Sequence, residues 1–175
     1  MKALILGIIL FPFFLSAQDY IIKEGVPEDL KEYKIIFFKH EPIKVTANPD
    51  GNSQEKFIHL RQTNHNNVIE EANTKLVVAA QEYPFGYAIS TKSAYEPLLK
   101  AGYKYILTSK AYEYTHVSKQ PDEDILIVFE YFIQDLTSNV VYKVFELDEM
   151  KVYDSKLMIK RLNKAIKKGY PEAFD

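Results

Sequence analysis

The chain has 175 residues, no cysteine and no tryptophan, and a formal net charge of -2; 47% of its residues are hydrophobic and 26% are charged. That balance excludes a disordered chain, a collagen and a disulfide-stapled miniprotein. One domain of ordinary size is expected, whose core must supply all of its stability because no crosslink is available.

Met1 to Ala17 carries a single positive charge at Lys2, an apolar run from Ala3 to Leu15, and then Ser16-Ala17. A run of about 13 residues falls short of the ~20 that cross a hydrocarbon core. The order of charged, apolar and small residues is that of a secretory signal peptide. Cleavage is expected after Ala17, although Leu15 is bulkier than the residue usually found three positions before the cut. An uncleaved anchor is the rival reading, and both Pro12 and the shortness of the run disfavour it. The lack of cysteine excludes acylation at a lipobox, and no Asn-x-Ser/Thr sequon is present. The Ser16-Ala17-Gln18 junction resembles those of Gram-negative bacteria. The expected location is therefore the periplasm or the extracellular space, with a chain that does not span the membrane after cleavage.

In the remaining chain, residues 18–32 are polar, with Gly25 and Pro27, and read as an N-terminal arm ahead of one domain at 33–175. Tyr33 to Phe38 is rich in β-formers and predicts a first strand. Asn48 to Asn52, with Asp50-Gly51, is turn chemistry, and Phe57 to Leu60 suggests another short strand. Asn67, with Glu70 three residues on, predicts a helix start of the capping-box kind. From there Ile69, Ala72, Leu76, Ala79, Ala80 and Tyr83 recur at helical spacing as a core-directed face, ended by Pro84 and Gly86. Tyr87 to Ser90 predicts a strand, and Ser93 to Glu96 a second capping box opening a short helix that ends at Gly102.

From Tyr103 the period changes to two. Tyr103 to Val117, Ile125 to Gln134 and Val140 to Leu147 predict a three-strand meander, with turns at Ser118 to Asp124 and Asp135 to Asn139. Ile125 to Phe132 is apolar on both faces apart from Glu130, which predicts an interior strand. Asp154 or Ser155 is expected to cap a last helix, with Met158, Leu162, Ala165 and Ile166 buried and Gly169 and Pro171 at its end. The fold class that follows is α+β, a mixed or antiparallel sheet with a C-terminal three-strand meander and helices packed mainly on one face. Between Asn67 and Lys168 this order of elements is similar to that of envelope domains such as the N-terminal domain of the periplasmic protein TolB. The likeness implies a fold rather than a function.

Motifs for chemistry are sparse. His40-Glu41 is followed by Lys44 where a zincin has its second histidine, and His59 and His65 stand six apart, so a helical metal pair fails. Convergence of His59, His65 and His116 in space would need the fold. Asn48, Asp50 and Asn52 lack the glycine and glutamate of a calcium loop, having Ser53 and His59 in their places. Asp122-Glu123-Asp124 reads as a solvated hairpin tip. No nucleophile elbow, thiol or phosphate loop is present. Glu113 and Glu130 are the only strand carboxylates that suggest a glycosidase pair. No catalytic residue, metal site or cofactor is assigned.

Two features suggest binding. Tyr103, Tyr105, Tyr112 and Tyr114 on one strand supply flat apolar bodies with polar tips, suited either to sheet packing or to a sugar or peptide platform. Residues 151–170 hold seven Lys or Arg and one Asp, a net +6, whereas residues 18–150 hold 14 basic and 21 acidic residues, a net -7. Lys156, Lys160, Lys164 and Lys168 recur every four residues as one stripe. That stripe is either the wet side of an amphipathic helix or a docking face for an anionic envelope surface or an acidic protein. Nucleic acid is not expected of an exported chain with pI near 6.1. The leading expectation is an exported, non-catalytic binding or accessory module of the cell envelope. The alternative is a secreted hydrolase acting on carbohydrate or peptidoglycan, with residues assembled from separate strands.

Overall fold

The computed structural model describes residues 20–114 and 126–174; the leader, the turn Ser118 to Asp124, the acidic cluster within it and His116 lie outside the described residues. The fold is α+β. Six strands form one mixed sheet, β1 (Ile21–Glu24), β2 (Lys34–Phe38), β3 (Tyr87–Ser90), β4 (Tyr103–Tyr114), β5 (Leu126–Asp135) and β6 (Val140–Asp148), ordered β1-β6-β5-β4-β2-β3. The antiparallel meander β4-β5-β6 is the expected one, and β5 lies in its interior. The helices are α1 (Ser53–Ala79), α2 (Glu96–Lys100) and α3 (Ser155–Gly169). No described helix is long and apolar enough to cross a membrane.

Strand alternation sorts the apolar side chains between two faces. Ile35, Phe37, Tyr105, Leu107, Tyr131, Ile133 and Leu147 meet Leu76 and Ala79 of α1, Ala80 just past its end, and Ile159, Leu162 and Ile166 of α3. Both long helices thus cover one face, while Tyr95, at the start of α2, meets Phe38 from the other, with ring centroids 5.4 Å apart. On α3 Ile159 is fully buried together with the expected Leu162 and Ile166, whereas Met158 and Ala165 are half-buried at the margin of the stripe.

Three local expectations are corrected. Residues 18–32 contain β1, which pairs in parallel with β6 from Ile21↔Val140 to Glu24↔Lys143. Ile21 and Ile22 are both exposed, so this strand is held by its backbone bonds rather than by a buried side-chain pattern. Gly25, at φ +92°, turns the chain out of β1, and Pro27 and Leu30 then enter the core.

Phe57 to Leu60 is helix, not strand, because α1 begins at Ser53 with Asn52 as its cap. Asn52 Oδ1 accepts the Glu55 N–H at 3.0 Å, and Glu55 Oε2 accepts the Asn52 N–H at 3.0 Å. The same Asn-x-x-Glu signature recurs inside the helix at Asn67 and Glu70, which is why the later start suggested itself. Ser93, finally, does not cap α2. Its hydroxyl donates to Glu41 Oε1 at 3.0 Å, and Tyr95 occupies the cap position without a side-chain bond.

The polar first half of α1 has its own structural role. Asn73 donates to the His40 carbonyl and accepts the His40 N–H, and Asn66 treats Ile43 in the same way, at 2.8–2.9 Å. Gln62 accepts the N–H groups of Thr46 and Ala47 at 3.0 and 3.2 Å. Positions 62, 66 and 73 fall on one helical stripe. Their side chains bond the backbone of the extended segment 40–47 as a neighbouring strand would, satisfying groups that leave the sheet after β2.

Candidate functional site

The basic stripe and a cavity at the end of β2 are the two surfaces that the fold builds. α3 is capped by Asp154, whose carboxylate accepts the Leu157 N–H at 2.9 Å. With Ser155, Ile159, Leu162 and Ile166 buried, the 3.6-residue period turns Lys156, Lys160, Lys164 and Lys168 outward, and all four are exposed. Arg161 and Lys167 broaden the face, and Lys167 Nζ stands 6.0 Å from the centroid of Phe174.

Among the described residues none of these six cations has an ion-pair partner, although they are gathered on one helix face; four cations elsewhere on the domain are paired, Lys75 with Glu71 at 2.6 Å among them. Arg61 pairs with Glu149 at 2.5 Å, Lys104 with Asp29 at 2.7 Å, and Lys143 with Glu130 at 2.6 Å and Glu146 at 2.9 Å. Two shallow grooves flank the helix. One carries Phe145 beside Arg161, Lys164 and Lys168, and the other Leu157 and Phe174 beside Lys160 and Lys167.

The tyrosines are distributed differently. Tyr103 is half-buried at an irregularity where Lys34 faces Tyr103 but Ile35 faces Tyr105. Lys34 Nζ lies 5.2 Å from the Tyr103 ring centroid. Tyr105 is 1% exposed, and its hydroxyl donates to the Asp29 carboxylate. Burial works to raise the Asp29 pKa, but the hydrogen bonds from Lys104 and Tyr105 hold it below the ordinary carboxylate value. Lys104 also lies 3.6 Å from Asp135, and its pKa is raised chiefly by its bond to Asp29. Tyr105 thus helps to anchor the segment after β1. Tyr112 and Tyr114 stand in the outer half of β4, in register with Val128 and Leu126.

Sequence reasoning did not find the cavity, of about 360 Å³, between the sheet, α1 and the start of α3. Its position follows from topology. β3 and β4 flank β2 on opposite sides, and all three run parallel, so the connections around β2 separate at its carboxyl end, where crevices in such sheets form. Residues just past β2 and β3, Lys39 to Glu41 and Lys92, form part of its wall. A polar run immediately after an apolar strand is the one sequence signal that marks this place.

Among the described residues the histidine that meets His65 is His40, not His59. The two rings are 6.1 Å apart at their centroids, and Tyr153 lies 5.1 Å from His40. His65 Nε2 is 2.9 Å from the Glu41 carbonyl and Nδ1 is 2.8 Å from the Tyr153 hydroxyl. A carbonyl only accepts, so Nε2 carries a proton and donates it to Glu41. Burial, then the charges of His65 and Lys92, push the His40 pKa below its ordinary value. His59 instead lies 2.9 Å from the Ala47 carbonyl through Nδ1. Among the described residues no three His, Cys, Asp or Glu side chains are grouped to hold a metal ion.

No protein family, no curated protein and no solved structure matches the chain.

Proposed function

We propose that this protein is an exported binding module of the cell envelope that docks on an anionic lipid surface through the outer face of α3. The observation that carries the reading is the set of six exposed cations on one helix face without a single ion-pair partner among the described residues. Phosphate-bearing headgroups suit this face better than a folded acidic protein does. The face is mostly lysine, a point charge on a flexible stem, and lacks the fixed forks that recognise carboxylates pairwise. The alternative of a hydrolase draws on Glu113 and Glu130, and Glu130 is held by Lys143 at 2.6 Å. The binding reading is therefore carried forward.

Each lysine near an acidic membrane contributes about 1 kcal/mol, so the four stripe lysines together support roughly a thousandfold partition at low salt. Sedimentation with phosphatidylglycerol-phosphatidylcholine vesicles should capture the protein, 0.5 M salt should release it, and phosphatidylcholine alone should not bind it. The quadruple variant K156E/K160E/K164E/K168E should stay in the supernatant. Equal capture of variant and wild type would sink the reading, and failure of the wild type to bind acidic vesicles would redirect the face to an acidic protein. Export is tested by expressing the full chain in a Gram-negative host. The periplasmic product should lack 17 residues by intact mass, and an uncut product confined to the cytosol would overturn that part.

A further inference from the structure

Where β2 ends, the chain diverges from the sheet and leaves a cleft open to the core. Register between β2 and β4 extends only to Ile36↔Ile106, while β4 continues to Tyr114 beside β5. The departing segment is held away along α1 by the amides of Asn73, Asn66 and Gln62. The floor of the cleft is apolar, made by Phe37, Leu76, Leu107, Tyr131 and Met158. Its volume of about 360 Å³ is within the range of small-ligand pockets.

The rim has the opposite character. Lys39 and Lys92 are exposed at its edge, and neither has an ion-pair partner among the described residues. The one acidic residue in the wall is Glu41, and both of its oxygens are engaged. Oε2 accepts the Lys92 N–H at 3.1 Å and Oε1 accepts the Ser93 hydroxyl at 3.0 Å. Burial, with the charges of His65 and Lys92, lowers the His40 pKa and so disfavours a further positive charge beside the rim.

A small polar anion would leave the floor wet, and a neutral apolar molecule would leave the rim with a net positive charge, two ammonium groups against the one carboxylate of Glu41. A ligand that satisfies both surfaces has an apolar chain and one anionic end. We infer that the cavity binds an amphipathic monocarboxylate, with its hydrocarbon on the Phe37, Leu107 and Met158 floor and its carboxylate at the Lys39 and Lys92 rim. This site is separate from α3's outer face and does not depend on the docking reading.

The test is calorimetric titration with hexanoate, octanoate and decanoate, each below its micellar concentration, with decanol as the uncharged control. Affinity should rise about fourfold per added methylene until the floor is filled. Decanol should bind at least tenfold more weakly than decanoate. The exposed pair K39M/K92M should lose tenfold or more for decanoate at an unchanged melting temperature, whereas K156E/K160E/K164E/K168E should bind as wild type does. Absence of binding by all three acids, equal affinity for decanoate and decanol, or an intact K39M/K92M would overturn the proposal. Loss of binding in the α3 variant with retention in K39M/K92M would move the anion to the helix face and overturn it equally.

Discussion

Two neighbouring tyrosines should respond in opposite directions to the same chemical change. Tyr170, just past α3, donates its hydroxyl to the Pro27 carbonyl at 2.5 Å and accepts the Leu30 N–H at 3.0 Å, joining residues 143 and 140 positions apart. Tyr170→Phe leaves the Pro27 carbonyl with only the longer bond from Leu30, at 3.3 Å. A buried acceptor deprived of its main partner costs about 1–3 kcal/mol, so a loss of about 2 kcal/mol is expected. Tyr83, on the far side of Phe85, is 4% exposed and packs edge-on to Phe37 at 5.2 Å. Its hydroxyl is buried without a hydrogen-bond partner among the described residues, and burial raises its pKa. Tyr83→Phe keeps the ring and removes the unsatisfied oxygen, so it should stabilise by about 1 kcal/mol. Urea unfolding at pH 7 should separate the two variants by about 3 kcal/mol, with the wild type between them and unchanged m-values. Equal losses in both, or a Tyr170→Phe variant as stable as wild type, would refute the assignment of these bonds.

Further expectations concern the wall of the cavity. Asn73→Leu removes the two bonds that hold His40's backbone and should cost about 2 kcal/mol, with faster amide exchange across residues 40–47 by mass spectrometry. Asn66→Leu, whose paired bonds to Ile43 are exposed, should cost less than about 1 kcal/mol by the same assays. Because the folded chain binds the His40 proton more weakly than the unfolded chain does, this group's contribution is present above the unfolded value, near 6.5, and is lost as pH falls below it. His40→Gln should therefore flatten the stability profile between pH 7.5 and 5.5. An unchanged slope in urea titrations would contradict the burial of a neutral ring there.

Several elements were legible without the fold because local pattern and burial agree. The period-two run from Tyr103 to Leu147 became the meander, and Ile69 to Ala79 became the buried end of α1, with Ala80 and Tyr83 buried just past it. The Lys156 to Lys168 spacing placed four charges on one exposed face because a single helix fixes their direction whatever it packs against. The first half of α1 was misread for a physical reason: its ordering partners are the backbone groups of residues 40–47, so amides rather than apolar residues recur at helical spacing. Phe57 and Leu60 meanwhile remain exposed and mimic a strand.

Length, composition and hydrophobic period by themselves determined a cysteine-free α+β domain with a charged final helix. Tertiary structure alone decided that residues 21–24 close the sheet, that Tyr105 belongs to the core, and that His40 meets His65 beside an apolar cleft. Each of these depends on groups brought together from distant parts of the chain, through parallel pairing and through connections that diverge at the end of β2. No local period encodes such a meeting.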